Sequence, residues 1–226
     1  MSWASILIMP LFGWVGGLLA ISFILAFATE RGRLDPQTFI LTGIAVSAGF
    51  GAITLFLSLK MNPRDYEMAA VWLAGSVYSA NWKYVLTTLP WIIVLTPILM
   101  YKSRVLDVFG LSETSVKGLG ISLIKERYGL ILLSVGLVSA CVSVSGSIAF
   151  VGLIAPHMAK RLVGIHHRYV LPASGMIGMA MVMIADWIAK SIFAPAQLPV
   201  GTVLAIIGVP YFILLLFQGQ KKGKGV

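Results

Sequence analysis

GSIAFVGLIAPHMAKRLVG, residues Gly146–Gly164, is almost wholly apolar as far as Ala155 and then meets Pro156, His157, Lys160 and Arg161. What surrounds this run decides the fold. Across the 226 residues, 58% are hydrophobic and only 11% are charged, against about 25% charged in a soluble domain. The shortage of charge extends along the whole chain, which makes it a polytopic membrane protein of the all-α class. The run is then a helix that crosses lipid and emerges at Pro156–His157. Lys160 and Arg161 suit the headgroups and the negative end of the helix dipole.

The composition excludes several classes. Cys141 is the single cysteine and lies in an apolar run, so it serves packing and no disulfide forms within the chain. The net charge of +9 does not mark a nucleic-acid partner, because the cations sit at the ends of apolar runs. The chain carries no charge before Glu30, so the basic n-region of a cleaved signal peptide is missing and the first segment reads as a retained span. No Gly-x-x-x-x-Gly-Lys-Ser/Thr stretch occurs, so ATP hydrolysis by a P-loop must come from another subunit.

A span needs about 20 apolar residues. The first two run Ser5 to Ala28 and Phe39 to Leu59, on either side of the charged turn TERGRLDPQT. KMNPRDYEMAAVWLAGSVYSANW (60–82) is too polar to cross; Tyr66 to Val77 is expected to be a short interfacial or re-entrant helix with Trp72 near the headgroups. The third span is Trp82 to Tyr101, with Pro90 and Pro97 inside. The uncharged run from Tyr128 to Ala159 would make roughly 48 Å of helix. Either it is one strongly tilted helix or it breaks at SVSGS near Gly146 into helices over 128–145 and 147–163; the break is favoured. Spans over 169–193 and 200–217 follow, around the turn APAQLPVG. The expected architecture is a helix bundle of about seven transmembrane helices, one membrane domain over 1–226, with a polar segment at 102–127 and a basic tail at 218–226.

Cation counting orients it. With the C-terminus in the cytoplasm, thirteen of the 17 cations face inward (Arg31 and Arg33; Lys102 to Arg127; Lys160, Arg161 and Arg168; the tail lysines), and Lys60, Arg64, Lys83 and Lys190 face outward. A single unbroken helix through Gly146 would reverse the earlier loops.

The stretch GSIAFVGLIAPHMAKRLVGIHHRYVLPASGMIGMAMVMIADWIAKSIFAPAQLPVGTVLAIIGVPYFILLL (146–216) resembles the C-terminal part of the permeases of ABC importers for iron-siderophore, haem and cobalamin compounds, the FecCD type. The shared elements are Gly-x-Ile-x-Phe-Val-Gly-Leu, Pro-His, a basic residue, His-Arg, Leu-Pro, Ala-Asp, Leu-Pro-Val-Gly and Ile-Gly-x-Pro in one order. GRLDPQTFILTGIAVSAG (32–49) and MAAVWLAGSVYSANW (68–82) are similar to the family's middle section. His166 stands where the family has Asp before His-Arg, and Gln197 where it has Glu before Leu-Pro-Val-Gly. Family members carry three further spans at the N-terminus, so this chain is expected to begin at the fourth of ten.

The resemblance implies a permease subunit that pairs with a second permease copy, two ATP-binding cassette subunits and an extracytoplasmic substrate-binding protein in the cell membrane. It implies that the chain holds no cofactor, with ATP and Mg bound by the ATPase partner. LSETSVKGLGI matches the position of the coupling helices. Gly110, Gly118 and Gly120 punctuate short helices, Glu113 and Lys117 form an i,i+4 pair, and Leu111, Val116 and Leu119 supply an apolar face; a plain solvated loop is the competing reading. Gly152, Pro156, His157, Arg161 and Arg168 are expected at a cytoplasmic gate or supporting the coupling surface, with His157 structural rather than catalytic. No metal site is expected, since the three histidines lack ligand spacing.

Asp186 is the one acidic residue deep in a span and is expected to pair with Lys190, one turn on. Lys190 also matches a family arginine that receives an acid of the binding protein. Gly13, Gly16, Gly17, Gly43, Gly49 and Gly51 are expected at close helix crossings. Met176, Met179, Met181 and Met183 either line a pathway or pack against lipid and neighbours. A truncated or split permease is the alternative to a complete transport subunit. An intramembrane enzyme using His157 and Asp186 has no spacing to support it.

Overall fold

The computed structural model describes residues 3–30, 33–78, 80–109, 123–192 and 198–223. Nine helices occur among them: α1 Trp3–Ala28, α2 Pro36–Ser58, α3 Pro63–Leu73, α4 Trp82–Tyr101, α5 Ser103–Val108, α6 Leu123–Ser145, α7 Val151–Val163, α8 His167–Ile192 and α9 Val200–Gly223. The chain is an all-α membrane helix bundle. Five helices (α1, α2, α4, α6 and α8) are long and apolar enough to cross a membrane, and α9 carries a shorter apolar stretch over Val200–Leu214.

The surface is apolar nearly everywhere. Ile40, Leu41, Ile44, Phe50 and Ile53 of α2 all lie exposed, as a helix facing lipid requires. The interior mixes small and branched residues: Ala28, Ala140, Ala155, Ala159, Ala185 and Ala189 are buried beside Ser139 and Ser143, together with Leu25, Leu130, Ile154, Val170, Val200, Val203 and Leu204. Lipid tails are as apolar as leucine, so the close backbone approach that the small residues allow supports helix association alongside packing of the larger ones.

Local chemistry sets the helix starts. Thr29–Glu30 pairs antiparallel with Arg33–Leu34, a two-residue ladder that reverses the chain after α1. Asp35 then caps α2: its carboxylate accepts the N–H of Thr38 at 3.0 Å and of Gln37 at 3.4 Å, and Pro36 fills the first helical position. Asn81 caps α4 the same way, accepting from the N–H of Lys83 at 2.9 Å. The interfacial helix runs over 63–73 rather than 66–77. Pro63 starts it early, and Gly75, at φ +79, has already left helical geometry.

Two groups of helices make the bundle. In the first, α6 lies antiparallel between α1 and α4. Gly13 faces Ser139, Gly17 faces Val135, and Gly136 receives Leu95 and the indole of Trp14; the Trp14 and Trp91 rings meet edge to face at 5.6 Å. Only Gly13 and Gly17 of the glycines expected at crossings serve that purpose. A Cβ on Gly16, Gly43, Gly49 or Gly51 would meet nothing within 4 Å; Gly49 lines an open groove against α1 rather than a close crossing. In the second group, α7 packs extensively on α8, and Ala185, Ala189, Val200, Val203 and Leu204 form the α8–α9 core.

A junction of non-helical backbone joins the two groups. The Ser76 N–H donates to Ser145 O and the Gly201 N–H to Gly75 O, both at 2.9 Å. A Cβ on Gly201 would lie 2.1 Å from Ala74 O, so only glycine allows this approach. α6 ends at Ser145 and Gly146 breaks it at φ +68, where the sequence predicts the break. The following helix, however, begins at Val151 and not at 147. Phe150 adopts the left-handed conformation, φ +66, so residues 147–150 stay out of the helix. α7 thus has 13 residues, roughly 20 Å of rise against a hydrocarbon core of about 30 Å. Non-helical backbone at that depth is tolerated where protein covers it, as the junction does here.

Candidate functional site

One end of the bundle collects the cations. Thr29 and Tyr128 line the same cavity, so the α1–α2 turn and the start of α6 share this end. Lys102, at the end of α4, forms an ion pair with Glu126 in the first turn of α6. The Arg127 guanidinium stands 5.8 Å from the centroid of the Phe109 ring. Lys160 and Arg161 lie in the last turn of α7, and Gly164, at φ +87, turns the chain into α8.

Asp107, on α5, reaches this turn. Its Oδ1 accepts the backbone N–H of His167 at 2.8 Å and lies 2.6 Å from His167 Nδ1; its Oδ2 is 3.9 Å from His166 Nδ1. The backbone N–H of His167 is the main reason that the Asp107 carboxyl is held below the usual carboxylate range; desolvation opposes it, and the His167 ring adds a smaller lowering. A carboxylate is thereby placed at the positive end of α8.

The expected coupling residues Gly110, Leu111, Glu113, Lys117, Gly118 and Gly120 lie outside the described residues, as does Gln197. The α7 residues do not converge on one point. Gly152 and Arg161, nine positions apart, lie on opposite faces of a helix of 3.6 residues per turn, and a Cβ on Gly152 would meet nothing within 4 Å. Pro156 sits inside α7. His157 lies between exposed and buried, and its Nε2 is buried with no hydrogen-bond partner among the described residues. Arg168 is exposed on the first turn of α8.

At the far end, Lys190 Nζ is 2.6 Å from Asp186 Oδ2, the pair the spacing predicts. Met176, Met179 and Met183 point outward from α8, whereas Met181 packs against the α8–α9 core. A groove of about 860 Å³ between α1 and α2 is lined by Phe23, Phe27, Leu41, Phe50 and their neighbours. It offers apolar surface and no metal-ligating set; no group of three His, Cys, Asp or Glu able to hold a metal occurs among the described residues.

The matching residues are those of a known transport family, over residues 1–218. The chain belongs to the FecCD transport family. Within it, the chain is 56% identical over 216 residues to the iron-uptake system permease protein FeuC of Bacillus subtilis (strain 168), covering 96% of this chain and 64% of that one. It is 41% identical over 220 residues to the iron(3+)-hydroxamate import system permease protein FhuG of the same organism, covering 97% and 65%. The chain thus spans slightly under two thirds of the length of these curated relatives. A solved structure of an inward-facing metal-chelate type ABC transporter superposes with a TM-score of 0.83 at 30% identity, covering 96% of this chain and 68% of that one. Like these relatives, the chain is a multi-pass membrane protein.

Sequence reading missed Asp107, Glu126 and Lys102 as partners. Each belongs to the polar segment, but their pairings cross 60 residues for Asp107–His167 and 24 for Lys102–Glu126, and no local spacing encodes them. The available signal was the scarcity of acid: with eight Asp and Glu in the chain, every acidic side chain merits a search for its cation.

Proposed function

We propose that this chain is a membrane-spanning permease subunit of an ATP-driven importer of iron chelates, siderophore or haem, or of cobalamin. The observation that carries it is the FecCD match over nearly the whole chain, on a bundle that superposes on a metal-chelate ABC transporter. The chain is a transport subunit and not an enzyme; separate subunits bind ATP and Mg and hydrolyse ATP. Its partners are a second permease copy, two ATP-binding cassette subunits and an extracytoplasmic binding protein.

The basic end faces the cytoplasm, together with the C-terminal tail, because cations are retained on that side. Residues 110–120 there engage the ATPase. Gly152, Pro156, His157, Arg161 and Arg168 support that surface and the inner gate. The buried His157 Nε2, without a partner among the described residues, fits a structural place for this side chain inside the bundle. Lys190, at the outer end, receives an acid of the binding protein. An apolar pathway leaves the choice of chelate to that protein.

The test is co-expression with an ATP-binding cassette subunit of a FecCD-type importer, co-purification, and uptake of radiolabelled iron chelates and cobalamin into vesicles. ATP-dependent uptake of one of them is expected. A complex that forms but moves none of these compounds argues against the substrate class, and the absence of a complex argues against the permease assignment.

A further inference from the structure

Asp107 does more than hold a histidine ring. An N-cap normally comes from the residue just before a helix. Here the position before α8 belongs to His166, and the carboxylate that accepts the first N–H of the helix arrives from α5, 60 residues earlier. The second contact, in which Oδ1 accepts from His167 Nδ1 at 2.6 Å, fixes the side chain as well as the backbone. Both partners are about one quarter to one third exposed, so the joint is partly shielded from water.

The surroundings give this contact mechanical meaning. α7 and α8 are joined by the turn at residues 164–166 and pack along each other, so a grip on His167 is a grip on the corner of the hairpin. α5 is itself anchored: Lys102 before it pairs with Glu126, and Phe109 after it lies against Arg127. At its other end the hairpin meets residues 146–150, where the backbone is not helical and Phe150 has φ +66. A packed two-helix unit, gripped at one end, joined to α6 through irregular backbone at the other and carrying α9 along α8, has the layout of a lever.

We propose that Asp107 is a positioning residue that locks α5 to the α7–α8 corner, so that displacement of α5 swings the hairpin about the Gly146–Phe150 break. The proposal rests on the permease assignment above for the source of that displacement, an ATPase acting on the segment that follows α5. Asp107→Asn keeps an acceptor for the His167 N–H and loses the charge; Asp107→Ala loses both. A graded series follows, with wild type above Asn and Asn above Ala.

Two measurements test it, both in a Cys141→Ala background. The first uses the chain alone in nanodiscs and needs no transport. Amide hydrogen exchange over residues 167–170 should accelerate about tenfold in Asp107→Ala, and unchanged exchange there overturns the joint. The second uses the complete transporter in vesicles. Asp107→Ala should lower chelate uptake per ATP hydrolysed by about tenfold, the range of an ordinary coupling loss, with ATPase co-purification and basal hydrolysis unchanged. Asp107→Cys with His167→Cys should be equally uncoupled until a short bis-thiol cross-linker joins the two positions, and then recover. Wild-type coupling in Asp107→Ala, or a cross-linked form that stays uncoupled, overturns the lever. Failure of the permease assignment is separately visible, because the wild-type chain would then retain no ATPase while the exchange result stood.

Discussion

The carbonyl oxygen of Trp72 occupies the place where a side chain on Gly146 would begin: a Cβ there would lie 1.8 Å from it. Gly146 also has φ +68, which costs an L-residue about 1–2 kcal/mol before any clash. Gly146→Ala should therefore strip the chain of most of its folded population in detergent. Gly16→Ala, in a helix with nothing within 4 Å of the new Cβ, should be neutral or stabilise by up to about 1 kcal/mol. Thermal unfolding followed by size-exclusion chromatography separates them. Equal behaviour would mean that the α3–α6 junction does not hold the two helix groups together.

Phe150 and Gly208 form a second close contact. A Cβ on Gly208 would fall 2.6 Å from the Phe150 ring and 2.7 Å from its Cβ, too near the backbone for a rotamer change to relieve. Gly208→Ala should cost about 1–3 kcal/mol, the usual range for overpacking. Combined with Phe150→Gly it should cost less than the two single effects added, with a coupling of at least about 0.5 kcal/mol. Strict additivity would separate the left-handed Phe150 from the packing of α9.

Asp186 and Lys190 are partly exposed, at 24% and 47% of their side chains, so their pairing contributes at most about 1 kcal/mol. Lys190→Ala leaves an unpaired carboxylate on a membrane helix and should destabilise more than Lys190→Ala with Asp186→Asn. Lys190→Arg should preserve both stability and binding-protein affinity, since it keeps the charge and adds a bidentate fork. Lys190→Glu should weaken that affinity while leaving the ATPase complex intact. Titration with binding protein reads both.

Acid sensitivity should be traceable to Asp35. The Thr38 hydroxyl, then the Thr38 N–H, and to a smaller degree the Gln37 N–H hold its carboxyl below the ordinary 3.8. A depressed folded pKa means that the cap contributes fully above the unfolded value and is lost as pH falls through the lower folded one. The Tm difference between wild type and Asp35→Ala should be flat from neutral pH to about pH 5 and shrink only below the unfolded value. A difference that shrinks near pH 6 would assign the titration to another group.

The long helices were legible because α1, α2 and α4 are apolar throughout and bounded by Asp35, Asn81 and charged turns. Length, the SVSGS stretch and the cation asymmetry together exposed the break at Gly146. What the sequence could not display was direction. In a uniformly apolar helix nothing marks the face that meets protein, so Gly13 and Gly17, which cross α6, read the same as Gly16 and Gly43, which do not. The start of α7 was also hidden, because Phe150 leaves the helix through its fit against Gly208, two helices away. Of the candidate site, the Asp186–Lys190 pair was readable from i,i+4 spacing. The Asp107–His167 contact was not, because it joins two segments that only the folded bundle brings together.

Coupling to ATPase subunits requires the basic end of the bundle to lie on a single face of the membrane, where they can reach it. Cysteines placed one at a time at Arg104, Arg168 and Lys222, and at Lys83 as the outer control, in a Cys141→Ala chain, test this with a membrane-impermeant thiol reagent. The first three should react only from the cytoplasmic side and the Lys83 position only from outside. Labelling of the Arg104 and Lys222 positions from opposite sides would contradict the topology and the transport mechanism built on it.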